Sequence, residues 1–144
     1  MSALRSETTI GGEILREITF RGKSVKSGEW VYGYLIGRAE DSGKPCQGKF
    51  FIDNGEPFNK AVEVIPETVG QYIGLVDRNG EKIFEGDILS VDGALHRYSV
   101  EFDTVAASFA VRDCKDRRYA TNLTVDDQNE LRRCGTIYDQ EDKG

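Results

Sequence analysis

Residues 64–89 read VIPETVGQYIGLVDRNGEKIFEGDIL, and this stretch decides the fold of the chain. Two short runs rich in β-branched and aromatic residues, at 72–76 and 82–89, flank the pair Asn79-Gly80. Because both residues of the pair tolerate positive φ, the pattern predicts a β-hairpin closed by a type I′ turn. The stretch offers no nucleophile, metal cluster or phosphate-binding loop, so its content is architectural.

Glycine, proline and small polar residues divide the rest of the chain into further short strands. Alternation of apolar and polar residues between these breaks predicts strands at 14–20, 30–36, 49–53, 61–65, 98–102, 107–111, 119–123 and 136–138. The strands at 98–102 and 107–111 are separated by a short connection, so they should pair antiparallel. Residues 37–48 collect Gly, Pro, Ser and opposite charges, which is the composition of a flexible loop.

Local signals also predict one or two short helices. Pro66 has the fixed φ that suits the first position of a helical turn, so residues 66–69 are expected to form one. Thr124 and Asp127 have capping-box spacing, with Asp in place of the usual Glu or Gln, and predict a short helix at 125–132.

These elements predict a mainly β protein built from two β subdomains. The expected organisation is a flexible leader at 1–13, an N-terminal β subdomain at 14–65, a junction at 66–70, a small barrel at 71–139 and a solvated tail at 140–144.

The charge of the chain argues against some classes of partner. Its 144 residues include 19 Lys and Arg against 25 Asp and Glu, a net charge of -6, and residues 71–144 carry most of the excess. Counterion release needs clustered cations, so this balance disfavours non-specific nucleic-acid binding. No apolar run is long enough to cross a bilayer, and the N-terminus lacks the apolar region of a signal peptide. We therefore expect a cytoplasmic protein without membrane contact.

The chain has three cysteines and one histidine as candidates for catalysis or metal binding. Cys46, Cys114 and Cys134 are widely separated and form no CxxC pair, so neither a zinc site nor a disulfide framework is expected. Cys114 lies near cationic residues that would lower a thiol pKa, but neighbouring Asp residues offset them. His96 is the only histidine, and a solvated surface imidazole is the expected state. We predict no catalytic residue.

Carboxylates in the hairpin stretch suggest two further sites, both disfavoured. Asp77, Asn79 and Glu81 have the alternate spacing of calcium-loop ligands, but Lys82 occupies the position that requires glycine. Glu85 and Asp87 could act as paired carboxylates in acid/base catalysis, but an Asp that caps backbone amides at a bulge is the expected role of Asp87. Neither a metal site nor a cofactor is predicted.

Two groups of residues are candidates for binding. Trp30, Tyr32 and Tyr34 share one face of the strand at 30–36, where core packing is expected because the opposite face is apolar too. Their alternative use is to stack nucleic-acid bases. The only dense cationic cluster, suited to phosphate but interleaved with Asp, consists of Arg112, Lys115, Arg117 and Arg118.

Four blocks, in order, carry a resemblance to a known family. They are REITFRGK at 16–23, GEWVYGYL at 28–35, PETVGQYIGLVDRNGEKIFEGDI at 66–88 and GTIY at 135–138. Together they resemble the YopX family of phage and prophage proteins over about residues 16–138. The resemblance implies a mainly β protein with an SH3-like β-barrel in its C-terminal part, encoded in phage-derived regions of bacterial genomes. It brings no established biochemical activity, and Thr136 departs from the Asn that the family often has there.

The sequence therefore predicts a non-enzymatic interaction module. Its partner is expected to be a protein, including copies of itself bound through an exposed sheet edge. The alternative is a nucleic-acid-binding β-barrel, and an enzyme with an unidentified site comes third.

Overall fold

The computed structural model describes residues 7–10, 13–39, 48–58 and 60–139, and these form a mainly β fold, as predicted. Two short 3-10 helices lie at Pro66–Thr68 and Val125–Glu130. Within the described residues, no helix is long and apolar enough to cross a bilayer. The strands are β1 (Glu7–Ile10), β2 (Glu13–Arg16), β3 (Phe20–Lys23), β4 (Trp30–Ala39), β5 (Gly48–Asp53), β6 (Val62–Val64), β7 (Gly70–Val76), β8 (Lys82–Phe84), β9 (Asp87–Val91), β10 (Arg97–Asp103), β11 (Ser108–Asp113), β12 (Ala120–Asn122) and β13 (Leu131–Thr136).

The chain divides into two compact units. The N-terminal unit is Ile18–Gln71, and the C-terminal unit comprises the residues from Tyr72 onward together with those up to Glu17. The antiparallel hairpin of β1 and β2 therefore groups with the C-terminal unit, and β1 lies within the segment 1–13 for which a leader was expected. Residues 1–6, 11–12, 40–47 and the expected tail at 140–144 lie outside the described residues. The loop predicted at 37–48 is wrong at its two ends, because 37–39 extend β4 and Gly48 begins β5, where they pair with each other or with neighbouring strand residues.

The N-terminal unit is an antiparallel sheet that curls on itself. β6, β5, β4 and β3 pair in that order, and the start of β7 pairs with β3. Ser24 forms an isolated bridge with Val64, and the amide of Ile65 donates to the carbonyl of Lys23 at 2.8 Å. A Cβ at Gly22 would lie 3.0 Å from the Cβ of Val64, so the close approach of the two strands favours glycine. The inner face of the curled sheet buries Ile52 and Val64.

The C-terminal unit combines a five-stranded antiparallel sheet with the β7–β8 hairpin. The strand order is β12-β11-β10-β9-β13, and β10 pairs with β11 antiparallel, as predicted. The core consists of Ile73, Leu75, Ile83, Leu89, Val100, Val111 and Leu131. Because β12 and β13 are the outer strands of this sheet among the described residues, the SH3-like barrel remains a prediction.

The predicted hairpin is present, but its turn differs from the type I′ turn expected. The amide of Gly80 donates to the carbonyl of Asp77 at 2.9 Å, and the amide of Asp77 donates to that of Glu81 at 2.8 Å. Gly80 has φ 84°, whereas Asn79 is not among the positive-φ residues of the described chain. Asp77 Oδ1 accepts the amides of both Asn79 and Glu81, which favours a three-residue loop.

Three strand or helix boundaries also differ from the sequence prediction. The strand expected at 14–20 is interrupted at 17–19, between β2 and β3. The helix expected to run to residue 132 ends at Glu130. Leu131 is buried and begins β13, where it pairs with Val91 of β9. The closing strand therefore lies at Leu131–Thr136 and not at 136–138; core burial sets this boundary more strongly than local helix signals.

Candidate interaction surfaces

Strand β4 presents a row of apolar side chains to solvent. Tyr32, Tyr34 and Ile36 alternate along the strand and are 45%, 63% and 38% exposed. Residues two apart in a strand point to the same side, so the three form one surface. The prediction that this row packs in the core is wrong for Tyr32 and Tyr34.

The opposite face of β4 takes the core position instead. Leu35 pairs with buried Ile52, and a Cβ at Gly33 would lie 2.2 Å from the carbonyl oxygen of Asp53. The N-terminal unit, Ile18–Gln71, is too short to form two hydrophobic cores, so only one face of its curled sheet is buried. Because both faces of β4 carry apolar residues, the sequence pattern does not indicate which of the two faces is buried.

Trp30, at the start of the row, is only partly buried and lies against two cations. The guanidinium carbon of buried Arg21 is 4.3 Å from the centroid of its ring, and Lys23 Nζ is 5.4 Å away. Both cations belong to β3, where Lys23 pairs with Trp30 and Arg21 with Tyr32. Cation–π contacts of this kind fix the indole against the sheet.

A cavity of about 410 Å³ adjoins this end of the row. Of the described residues that line it, Lys60 alone is charged, and the others are aromatic, aliphatic or amide: Trp30, Val31, Tyr32, Ile52, Asn54 and Val62. Trp30 and Tyr32 belong to the exposed row, whereas Val31 and Ile52 belong to the face that takes the core position, so the cavity extends into the interior of the curled sheet.

The cationic cluster lies in the C-terminal unit, and its arginines are paired with carboxylates. Arg112 Nε contacts Glu101 Oε2, and Arg117 Nη2 lies 3.3 Å from Glu101 Oε1. Arg118 forms two hydrogen bonds with Asp116, at 3.0 and 2.9 Å. This pairing lowers the pKa of Asp116 and raises that of Arg118. The cluster therefore presents much less positive charge than its sequence suggests.

The residues considered for catalysis lie beside this cluster. His96 Nδ1 is 2.6 Å from Oδ2 of buried Asp113, and this hydrogen bond is the main cause of a lowered pKa at Asp113. Burial raises the pKa of the Cys114 thiol, which outweighs the opposite effect of Arg117. A raised pKa reduces the thiolate fraction and thus the nucleophilicity of Cys114. Cys46 lies outside the described residues.

The polar residues of the hairpin stretch serve the fold. Asp77 Oδ2 accepts the amide of Arg133 at 3.0 Å, so both of its carboxylate oxygens accept backbone amides. Asp87 is fully buried, and its Oδ2 accepts the amide of Phe84 at 2.8 Å, which confirms the expected capping role. Arg133 pairs with Asp87 through Nε at 3.1 Å. Within the described chain, no group of three or more His, Cys, Asp or Glu is arranged to hold a metal.

Two of three comparisons with known proteins give matches. The model of the family described as YopX protein matches residues 19–142. The crystal structure of protein EF1440 from Enterococcus faecalis is similar over 90% of this chain and 99% of that chain, with a TM-score of 0.51 and 18% identity. At that identity the likeness is one of fold. No curated protein matches the chain.

Proposed function

This chain belongs to the YopX family, and we propose that it is a phage-derived, non-enzymatic interaction module that binds a protein partner. The observation that supports this most is the exposed row of Tyr32, Tyr34 and Ile36 on β4. Tyrosine is enriched at protein interfaces, and contiguous apolar surface on a soluble protein commonly marks a binding site. The proposal includes a cytoplasmic location in a bacterial host and an SH3-like barrel as the fold of the C-terminal unit.

The surroundings of the row have the anatomy of an interface. In the β4–β5 ladder, Ile36 lies opposite Phe51 and Tyr34 opposite Asp53, so the apolar surface extends onto β5 and ends at charged residues. Phe51 in turn lies opposite Glu63 of β6. An apolar centre with a polar rim is typical of protein–protein contacts. We call the surface formed by Tyr32, Tyr34, Ile36 and Phe51 the aromatic face.

Nucleic-acid binding is less well supported than protein binding. Exposed tyrosines can stack bases, but a single-strand binder also needs cations that follow the backbone. Arg112, Arg117 and Arg118 of the predicted phosphate site are paired with Glu101 or Asp116. The net charge of -6 opposes a polyanion further.

The test is recovery of a partner from prophage-bearing bacterial cells with the purified full chain as bait. We expect a protein to be recovered equally with and without nuclease treatment. Tyr34→Ser should reduce recovery by about tenfold, the effect of losing one well-packed interface tyrosine. Tyr119→Ser is the matched control, because Tyr119 is 64% exposed and lies in the other unit.

Two outcomes would contradict the proposal. Recovery that disappears with nuclease would favour the nucleic-acid alternative, and equal recovery by both tyrosine variants would exclude the aromatic face. Light scattering tests self-association separately: a dimer through the aromatic face would become a monomer with Tyr34→Ser but not with Tyr119→Ser.

A further inference from the structure

A second cavity, of about 210 Å³, opens on the core face of the C-terminal sheet next to its edge strand. Buried Val111 and Leu131 line it from β11 and β13. Val111 pairs with Thr121, so the cavity and the Thr121 side of β12 share a face. The remaining lining comes from Val91, Tyr98, Asn122, Leu123, Asp127 and Glu130.

The lining carries negative charge only. Glu130 and Asp127 come from the second 3-10 helix, and no Lys, Arg or His of the described ranges lines the cavity. The carboxylate of exposed Glu130 forms no hydrogen bond or ion pair with any described residue. Asp127 Oδ2 accepts the amide of Thr124 at 2.8 Å, which completes the predicted capping box. An apolar cavity with carboxylates at its rim is complementary to a cation on an alkyl chain.

The wall that holds these carboxylates is anchored at several points. The amide of Val76 donates to Gln128 Oε1 at 2.8 Å, and the amide of Asp92 donates to the carbonyl of Glu130 at 2.9 Å. The amide of Arg78 donates to the carbonyl of Leu131 at 2.9 Å. The cavity is therefore formed before any ligand binds, which lowers the entropic cost of binding.

Strand β12 has a free edge beside the cavity. It is the outermost strand of its sheet among the described residues, and its residues are exposed. The amide of Asp113 donates to the carbonyl of Tyr119, so the alternation of antiparallel bonding directs Thr121 toward β11. The amides and carbonyls of Ala120 and Asn122 then point outward, where an added strand can pair with them.

We propose that this site binds a basic side chain, lysine or arginine, of an extended peptide that adds to β12 as a further strand. The alkyl stem lies against Val111 and Leu131, and the charged head meets Glu130 at the rim. Backbone pairing to β12 supplies affinity, and the cavity supplies the preference for a basic residue. The C-terminal part of the chain, with ten Lys and Arg against fifteen Asp and Glu in residues 71–144, favours the approach of a cationic segment. This site is independent of the aromatic face.

The test is an NMR titration of the full chain with an acetylated, amidated pentapeptide Thr-Val-Lys-Val-Thr. Saturable shifts are expected at the methyl groups of Val111 and Leu131. A peptide with norleucine in place of lysine keeps the stem but lacks the charge, and should bind about fivefold more weakly, as expected for one partly exposed ion pair. A peptide with glutamate at that position should bind more weakly than the norleucine peptide, and one with arginine should bind like the lysine peptide.

Variants separate charge, edge pairing and the other surface. Glu130→Gln should remove the preference for lysine over norleucine, whereas Asp126→Asn should keep it, because Asp126 does not line the cavity. Asn122→Pro removes an outward amide of β12 and should abolish binding of every peptide while circular dichroism stays unchanged. Tyr34→Ser should leave the titration unaffected. Absence of saturable shifts, equal binding of the lysine and norleucine peptides, or an unchanged preference in Glu130→Gln would overturn the proposal.

Discussion

Replacing Asp87 with Asn should destabilise the C-terminal unit through one buried ion pair. Asp87 is fully buried at the start of β9, and its Oδ2 lies 3.1 Å from Arg133 Nε. Asn keeps an oxygen that can accept the amide of Phe84, so the substitution removes mainly the negative charge. Arg133 then lacks its buried counter-charge.

The magnitude follows from the burial of the two partners. Breaking a fully buried ion pair from one side costs about 3–5 kcal/mol. The side chain of Arg133 is 23% exposed and can recruit water, so we expect the lower end of that range, about 3 kcal/mol. The matched control is Arg78→Gln, whose pair with Asp92 has side chains 39% and 53% exposed. That change should cost about 0.5 kcal/mol.

Urea unfolding followed by far-ultraviolet circular dichroism, with hydrogen exchange of the amides of Leu89 and Val100, measures the loss. Fluorescence of Trp30 reports on the other unit and is unsuitable. With a slope of about 2 kcal/mol/M, the midpoint should fall by about 1.5 M. The double variant with Arg133→Gln should lose less than the sum of the two single changes, by at least about 1 kcal/mol. Additive losses, or a loss no larger than that of Arg78→Gln, would refute the reasoning.

Three other changes probe the remaining strained or charged positions. Gly33→Ala should destabilise the N-terminal unit by more than about 2 kcal/mol, measured by unfolding followed with Trp30 fluorescence. Gly33 has φ 155°, and a Cβ there would clash with the backbone of Asp53. Gly37→Ala is the control and should be tolerated, because its Cβ would meet only the side-chain ring of Phe50. The pKa of Asp113 is lowered, so its hydrogen bond with His96 stabilises the fold above the unfolded pKa of 3.8. This stabilisation is lost as the pH falls through the lower pKa of folded Asp113. The difference in unfolding free energy between wild type and His96→Ala should therefore disappear at a pH below that folded pKa. Cys114, with its raised pKa, should react with iodoacetamide at pH 8 more slowly than free N-acetylcysteine, as mass spectrometry can measure.

The sequence was informative where structure follows from local chemistry. The hairpin, the antiparallel pair β10–β11 and the capping box at Thr124 depend on residues close together in the chain, and all three are present. The turn type was missed because Asp77, outside the Asn-Gly pair, binds two amides of the loop. The end of the second 3-10 helix was missed because a partner 40 residues away, Val91, draws Leu131 into the sheet.

The candidate surfaces were harder to predict because they depend on which face of a strand the rest of the chain covers. The pattern of β4 suits a strand buried on both sides, and only the curl of its sheet, closed by the bridge from Ser24 to Val64, selects one face as interior. The arginine cluster looked more cationic in the sequence than it is in the structure. Glu101, which neutralises Arg112 and Arg117, comes from the neighbouring strand and is distant from them in the chain.

The stretch that identifies the family and the surfaces proposed for binding are chemically different. In 64–89, the charged residues Asp77 and Asp87 bind backbone amides and Arg133, so they are occupied by the fold. Tyr34 and Ile36 of the aromatic face and the side chain of Glu130 are instead exposed to solvent. Substitutions at Tyr34, Ile36 or Glu130 should therefore alter partner choice. The free energy of unfolding should stay within about 0.5 kcal/mol of wild type, as is usual for surface positions. A variant of the aromatic face that unfolded as readily as Asp87→Asn would assign that face to the stability of the fold instead.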